Sequence, residues 1–394
     1  MEAKNNNSKY YNILLNTTVM TFAIMFALIL SEIVVRVFDV GPEFNPVYSK
    51  NYKLSDNQIL GYELVENSSD RDGFFINADG LRDKEYSLDK PENVFRIAVI
   101  GDSITFGLGV NQGLTYAKFL ERLLNKYNHT NTIFEIINFG VTGYNSSQIV
   151  EQVKSKVLKY QPDLILYGYC LNDPQEYSLE MMNLLKIKDI AQERMSALSS
   201  RSHLFMLVKY MLGRDGETRK AIEKNLSENF QRIDYKEDPQ WDALKGGNFV
   251  EYFQSLYQQD QYWGRTLKDM EILQARTANA EIPVVLVIFP LLQGIESYQL
   301  VNIHSQVTEA GQKRGMYIYD LLNAYSAYEK KGKWKLGKDS LHPTAYGHQY
   351  TAVAILNYLQ KESLLPDITT ETLDAIKTDD NKQLAEFIQL VQQP

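Results

Sequence analysis

The feature that most constrains the fold is a series of short, almost continuously apolar segments that alternate with helical patterns from Phe95 onward. Strands of this composition are buried on both faces, which is typical of a parallel sheet covered by helices on both sides. The chain is therefore expected to form an α/β fold around a central, mostly parallel sheet. The predicted strands are 95–100, 134–139, 164–167, 283–289 and 316–319, and the predicted helices include 114–127, 146–160 and 345–359.

One stretch, 175–265, breaks this alternation. It contains no convincing buried strand and is rich in Met, Tyr, Gln and charged residues. We interpret it as a helical insertion between the third and fourth strands, and the sequence leaves open whether it caps a site or forms a surface subdomain. Its predicted helical pieces are 179–187, 191–198, 204–212 and 250–257.

The N-terminal region carries no charge from Tyr10 to Ser31, a run of 22 residues. At about 1.5 Å per residue, such a helix spans roughly 30 Å of hydrocarbon. A cleaved signal peptide and a buried core helix are the alternatives. Around Ser31, however, no small-x-small cleavage site is convincing, and a core helix rarely runs this long without a charge. Lys4 and Lys9 before the span favour a single-pass membrane protein with its catalytic domain outside the cytoplasm.

The predicted organisation has four parts. Residues 1–40 form the tail and membrane anchor, and the turn-rich residues 41–93 form a connector that packs on the core. Residues 94–361 form the catalytic domain, and 362–394 form a tail with an amphipathic helix over 368–393.

Composition excludes several classes of protein. The formal net charge of −8 is the reverse of the basic surplus that nucleic-acid binding requires, so no nucleic-acid partner is expected. Cys170 is the single cysteine, which excludes an internal disulfide and a CxxC zinc or redox site. The five histidines lack paired metal-ligand spacing. We therefore expect neither a metal nor a cofactor.

Two segments far apart in the chain carry residues suited to nucleophilic catalysis. Ser103 follows the first predicted strand, at the sheet edge where open α/β folds place their ligands. A serine hydroxyl needs a base to activate it and a third group to orient that base. Asp339 lies three residues before His342, and this spacing can place both side chains beside one hydroxyl. We predict that Ser103 is the nucleophile, His342 the base and Asp339 its orienting carboxylate.

Acyl transfer also needs donors for the developing oxyanion. The backbone N–H groups of Ser103 and Gly140 and the side-chain amide of Asn172 are the candidates, because each follows a predicted strand. Purely structural interpretations remain for each residue: Ser103 as a helix N-cap, Gly140 as a positive-φ glycine, Asn172 as a turn former and Asp339 as the cap of the last helix. His348 is expected to serve packing or solvation.

These blocks stand in the order Gly101-Asp102-Ser103, Asn138-Phe139-Gly140, Asn172-Asp173, Asp339-x-x-His342, which resembles the SGNH (GDSL-like) hydrolase family over roughly 94–361. The resemblance implies a flavodoxin-like three-layer α/β/α fold and a metal-free serine esterase or acyltransferase mechanism. It assigns Ser103 as nucleophile and oxyanion donor, Gly140 and Asn172 as further donors, and His342 and Asp339 as base and orienting acid. Cys170 departs from the pattern, because the family usually has Gly there, and its Cβ is expected to tilt the loop of Asn172.

The expected function is a membrane-anchored serine esterase that forms an acyl-enzyme on O-acyl esters. The resemblance implies acetyl esters of an envelope or exported glycan, so the expected partners are an acylated glycan or lipid substrate and the membrane. The alternatives are an O-acetyltransferase acting on such a glycan, a lipid esterase or thioesterase, and a catalytically dead glycan-binding scaffold.

Overall fold

The computed structural model describes residues 2–38, 51–69, 75–127, 130–176, 204, 208, 249–292, 294–329 and 335–366. Contacts divide the chain into two units: Met1–Ser49 with Leu184–Asp234, and Lys50–Asn183 with Tyr235–Pro394. The predicted helix 368–393 and most of the predicted pieces between 179 and 212 lie outside the described residues.

A five-stranded parallel sheet forms the centre of the second unit. Its strands are β3 (Val94–Gly101), β4 (Ile133–Asn138), β5 (Leu164–Tyr169), β6 (Val284–Ile288) and β7 (Tyr317–Asp320), after a small hairpin of β1 (Tyr52–Leu54) and β2 (Tyr62–Leu64).

The described helices are α1 (Glu2–Phe38), α2 (Ser103–Phe106), α3 (Tyr116–Tyr127), α4 (Ser146–Ser155), α5 (Phe249–Gln258), α6 (Trp263–Ala278), α7 (Val301–Lys313), α8 (Leu322–Glu329) and α9 (Ala345–Lys361). The helix predicted over 146–160 is an α-helix only to Ser155, and a 3₁₀ turn follows it.

The order of strands across the sheet is β4-β3-β5-β6-β7. Counted in chain order within this sheet, that is 2-1-3-4-5, the flavodoxin-like order. The α/β fold class with a central parallel sheet is therefore confirmed. Asn138 pairs with Val99 and Gly168 pairs with Gly101, so the carboxyl ends of β4, β3 and β5 lie side by side.

Helices cover both faces of the sheet, because successive side chains of each buried strand point to opposite sides. On one side, Val99 and Leu166 belong to a buried cluster with residues of α3 and α9. On the other side α7 packs closely enough that a side chain at Gly311 would collide with Leu286 and Ile318. The three layers implied by the resemblance are thus present.

Apart from the four-residue helix α2, three of the described helices were not predicted from the sequence: α6, α7 and α8. In α6 the polar residues Thr266 and Asp269 are buried beside Met270 and Leu273. Asp269 lies there because its carboxylate accepts hydrogen bonds of 2.7 Å from the hydroxyls of both Ser146 and Ser147. Polar residues on the inward face conceal the apolar periodicity that marks a helix in sequence.

The described part of the predicted connector packs on the same unit as the sheet. The Tyr62 hydroxyl donates to the carbonyl oxygen of Thr142 at 2.8 Å, and the Tyr144 hydroxyl donates to the carbonyl oxygen of Tyr62 at 2.5 Å. Both tyrosines are buried, and their rings meet edge to face. These contacts tie β2 to the loop that follows β4.

The N-terminal helix α1 contains one stretch, Leu14–Val35, whose length and mean hydropathy of 2.3 allow it to cross a membrane. Only 6% of its most apolar window is buried, which does not fit a core helix. The hydroxyls of Thr17, Thr18 and Thr21 donate to backbone carbonyl oxygens one turn earlier. These three hydroxyls are thereby satisfied within the helix.

The guanidinium of Arg96, a residue of β3, is fully buried. It donates to the carboxylate of Glu135 on β4 at 2.6 and 2.9 Å and to the carbonyl oxygen of Tyr160 at 2.7 Å. A buried charge of this kind is stable only while its partners satisfy it.

Replacing Glu135 with alanine is expected to lower the free energy of unfolding by about 3 kcal/mol, because it strands a buried cation. The double variant Arg96→Met with Glu135→Leu should recover most of that loss. The exposed pair Lys53–Glu66 provides the control, since Glu66→Ala should cost less than about 1 kcal/mol. Urea unfolding measures all three, and equal losses for Glu66→Ala and Glu135→Ala would contradict the prediction.

Candidate active site

The candidate nucleophile lies at the first residue of a very short helix directly after β3. Asp102 caps this helix, because its Oδ1 accepts from the backbone N–H of Ile104 at 3.0 Å. Ser103 is therefore the first helical residue and not the cap, and its hydroxyl remains for other partners. Its Oγ lies 3.4 Å from Oδ2 of Asp102.

Asp102, the residue directly before Ser103, is fully buried. Burial raises the pKa of its carboxyl group, against the opposing effects of the Ile104 N–H and the nearby imidazole of His342. The two carboxyl groups near Ser103 thus sit in different environments, since Asp339 is half exposed.

His342 connects Ser103 to Asp339. Its Nε2 lies 2.9 Å from the Ser103 Oγ, and its Nδ1 lies 2.9 Å from Oδ2 of Asp339 and 3.1 Å from Oδ1. A proton on Nδ1 bonds the carboxylate and leaves the Nε2 lone pair to accept the serine proton. The structure therefore brings together the three residues predicted as a catalytic triad, although 239 positions separate Ser103 from His342.

The loop that carries Asp339 and His342 is held by hydrogen bonds of its own. Asp339 Oδ1 accepts from the backbone N–H groups of Leu341 and His342, each at 2.8 Å. Partial burial raises the pKa of Asp339, but these N–H groups and the imidazole outweigh it and hold that pKa below its ordinary value. The last helix is capped instead by Thr344, whose Oγ1 accepts from Gly347 N–H at 3.0 Å.

Gly140 lies against α2, the short helix that begins at Ser103. A side chain there would overlap the backbone of Thr105 and Phe106, so close packing, and not a positive φ, requires glycine. Its N–H donates to Oδ1 of Asn138 at 2.8 Å. The proposed oxyanion role of this N–H therefore requires it to exchange Asn138 for the substrate oxygen.

Asn172 follows β5 in a turn in which Asp173 N–H donates to the carbonyl oxygen of Cys170 at 2.9 Å. The side-chain Oδ1 of Asn172 is buried and has no hydrogen-bond partner among the described residues. Cys170 is buried in the core, and burial raises the pKa of its thiol well above the ordinary value. The thiol is therefore a packing group, whereas the oxyanion role of Asn172 stays a prediction.

His348 on α9 is fully buried. Its Nδ1 accepts from the backbone N–H of Tyr116 at 3.3 Å, and its ring stacks on that of Tyr116. Burial, helped by the nearby charge of Arg82, lowers the pKa of His348 to about 3. The imidazole is thus held neutral as a packing group.

This low pKa predicts an acid sensitivity. The unfolded chain binds a proton at His348 below its ordinary pKa of 6.5, whereas the folded chain does so only near 3. Stability should therefore decrease as pH falls, by about 2 kcal/mol between pH 7 and pH 5 from this residue alone. Urea unfolding of His348→Gln and His348→Asn at both pH values should show a pH-dependent loss smaller by that amount. An identical loss in the wild-type protein and both variants would contradict the prediction.

Among the described residues there is no group of three or more His, Cys, Asp or Glu side chains that could hold a metal ion. The triad as arranged can activate a hydroxyl through the imidazole alone.

Residues 99–233 match the GDSL-like lipase/acylhydrolase family. This match confirms the resemblance to the family and contains the first three sequence blocks, with Ser103, Gly140 and Asn172. The GDSL-like segment ends before Asp339 and His342, which the fold brings back to it. No curated protein matches the chain.

Several solved structures are similar to the chain at low sequence identity. A two-domain esterase active on acetylated mannans is 16% identical, with a TM-score of 0.40 over 70% of this chain and 52% of that one. This chain thus spans about half the length of that esterase. An acetyl xylan esterase is 15% identical, with a TM-score of 0.39 over 67% of this chain and 100% of the other. A catalytic mutant of an acetylxylan esterase from Geobacillus stearothermophilus is 15% identical, with a TM-score of 0.40 over 67% and 93%.

Proposed function

We propose that this protein is a membrane-anchored serine esterase that removes O-acyl groups, acetyl above all, from an envelope or exported glycan. The observation that carries the proposal is the 2.9 Å contact between His342 Nε2 and Ser103 Oγ, with Asp339 on the other imidazole nitrogen. The GDSL-like family match supports the ester chemistry. The apolar span Leu14–Val35 supports anchoring, with the catalytic unit outside the cytoplasm.

The reaction follows from the geometry. The Ser103 Oγ attacks the ester carbonyl carbon while its proton passes to His342 Nε2, and Asp339 stabilises the imidazolium that forms. The N–H groups of Ser103 and Gly140 and the amide of Asn172 are the proposed donors to the oxyanion. Proton return from His342 to the leaving alkoxide produces the free hydroxyl and an acyl-Ser103 ester. Water, deprotonated by the same imidazole, then releases the carboxylic acid and restores Ser103.

The exposure of the triad favours a polar substrate. Among the described residues, the side chain of Asp339 is 53% exposed and that of His342 16% exposed, whereas Ser103 is 9% exposed. The base and its orienting acid are therefore accessible to a polar substrate. A long acyl chain needs an apolar channel to cover it, whereas an acetyl group on a sugar does not. This argument favours the glycan esterase over the lipid esterase or thioesterase.

The test uses the full-length protein in detergent. We expect acetate release from 4-nitrophenyl acetate and from an acetylated oligosaccharide, faster than release of octanoate from the octanoyl ester. A fluorophosphonate probe should label the protein on Ser103. Absence of both turnover and labelling would favour the catalytically dead scaffold and contradict the proposal.

Adding an unacetylated oligosaccharide separates hydrolysis from transfer. An esterase should release free acetate at an unchanged rate, because water is the acceptor. Appearance of acetylated oligosaccharide at the expense of free acetate would instead identify an O-acetyltransferase, in which the acceptor site excludes water from the acyl-enzyme.

A further inference from the structure

Two buried, charged neighbours in the segment before the sheet, Arg82 and Asp83, contact two of the segments that carry the proposed site: the helix that begins at Ser103 and the loop of Gly140. Arg82 is 5% exposed and Asp83 is 1% exposed, although both are charged. Buried charges are retained only where specific partners satisfy them. The two residues lie outside the family match over 99–233.

Arg82 binds the end of the nucleophile helix. Its Nη1 donates to the carbonyl oxygens of Phe106 at 2.6 Å and Gly107 at 3.0 Å, and its Nη2 donates to that of Val110 at 2.7 Å. Its guanidinium also lies 4.9 Å from the centre of the Phe106 ring. Because α2 has only four residues, few of its backbone groups are satisfied within the helix, and the arginine supplies donors to the carbonyls.

Asp83 binds the loop that carries Gly140. Its Oδ2 accepts from the backbone N–H of Asn138 at 2.9 Å, and Lys118 Nζ lies 2.7 Å from the same oxygen. The side chain of Asn138 in turn donates through Nδ2 to the carbonyl oxygen of Thr105 at 2.8 Å, while its Oδ1 accepts from Gly140. Asn138 therefore joins the loop held by Asp83 to the helix held by Arg82.

Hydrogen bonds of one buried side chain hold the turn that precedes Arg82 and Asp83. Asn77 is fully buried, and its Oδ1 accepts from the backbone N–H groups of Asp79 and Leu81, while its Nδ2 donates to the carbonyl oxygen of Lys84. Gly80 in this turn has a φ of +72°, which favours glycine. A turn held in this way fixes the positions of Arg82 and Asp83, and with them the two segments that they bind.

We propose that Arg82 and Asp83 are positioning residues, which hold the Ser103 helix and the Gly140 loop at the separation that acyl transfer requires. His342 and Asp339 stand on a different loop, so a shift of α2 changes the distance from Ser103 Oγ to His342 Nε2 directly. Neither residue contacts the reacting atoms. The inference rests on the proposed function, because positioning matters only where Ser103 reacts.

The test compares Arg82→Lys and Asp83→Asn with Lys53→Met in the full-length protein. Lys53 is the control, since it is a charged residue of the same unit, its side chain is 42% exposed, and its ion pair with Glu66 touches neither segment. Arg82→Lys keeps the charge but not the fork of donors. Thermal melting confirms that each variant is folded before the comparison.

Hydrogen exchange reads the positions of the loops without requiring activity. Arg82→Lys should raise amide exchange over 103–110 about tenfold, and Asp83→Asn should do so over 138–143, with α9 unchanged in both. In each variant kcat for 4-nitrophenyl acetate should fall about tenfold while KM stays within about twofold, because orientation and not binding is lost. Lys53→Met should change none of these quantities.

Unchanged exchange over both loops would overturn the inference, as would increased exchange with an unchanged kcat. A loss of α9 protection together with the loops would mean a general loss of stability and would also overturn it. A wild-type protein that neither turns over esters nor reacts with fluorophosphonate would instead refute the proposed function.

Discussion

Replacing Ser103 with alanine is expected to lower kcat for ester hydrolysis by about 10⁴ to 10⁶-fold, because the hydroxyl that His342 Nε2 contacts is removed. The variant should fold normally. The Ser103 hydroxyl takes no part in the cap of α2, which Asp102 provides, and alanine is well tolerated in a helix. Labelling by fluorophosphonate should disappear together with turnover.

The matched control for this variant is Ser87→Ala. Ser87 is an exposed serine of the same unit and should keep wild-type turnover and labelling. Measured kcat values are compared at equal concentrations of folded protein, established by circular dichroism. Turnover in Ser103→Ala above about a tenth of the wild-type value would exclude Ser103 as the nucleophile.

Replacing Asp339 with asparagine is expected to lower kcat by about 10³ to 10⁴-fold. An amide can donate a hydrogen bond to Nδ1 of His342, which favours the tautomer with its proton on Nε2. That tautomer cannot accept the proton of Ser103. The amide also carries no charge to stabilise the imidazolium. KM should change little, because Asp339 contacts the imidazole and not the substrate.

A second Asp–His pair in the same unit serves as the control for Asp339→Asn. Asp320 Oδ1 lies 2.8 Å from Nδ1 of His304, and the other nitrogen of His304 bonds the Tyr298 hydroxyl instead of a serine. Asp320→Asn therefore makes the same chemical change without touching the triad, and it should keep kcat within about threefold per folded molecule. Equal losses in the two variants would mean that Asp339 contributes only to stability.

Local pattern was sufficient for the sheet. The apolar strands around Ile97, Ile136, Leu166 and Leu286 are buried on both faces, and a strand of this kind is visible in a short window of sequence. The helices α6, α7 and α8 were missed, because periodicity is diluted where buried polar residues such as Asp269 find partners on another helix.

The residues of the site divide in the same way. Ser103, His342 and Asp339 could be predicted, because a serine after a strand and an Asp-x-x-His loop are local signals whose order resembles a known family. Asn138 and Arg82 could not be assigned roles, because their partners are main-chain atoms of other segments. A backbone carbonyl or N–H leaves no trace in residue identity.

The sequence by itself thus determined the five strands of the central sheet, the apolar N-terminal span and the identity of the candidate triad, since each depends on a short run of residue types. Only the tertiary structure decided that Asp102 and not Ser103 caps the nucleophile helix, and that Gly140 is required by contact with Thr105 and Phe106. It also decided that His348 is held neutral. These outcomes depend on which groups fill the space around a residue, and that is set by segments that are distant in the chain.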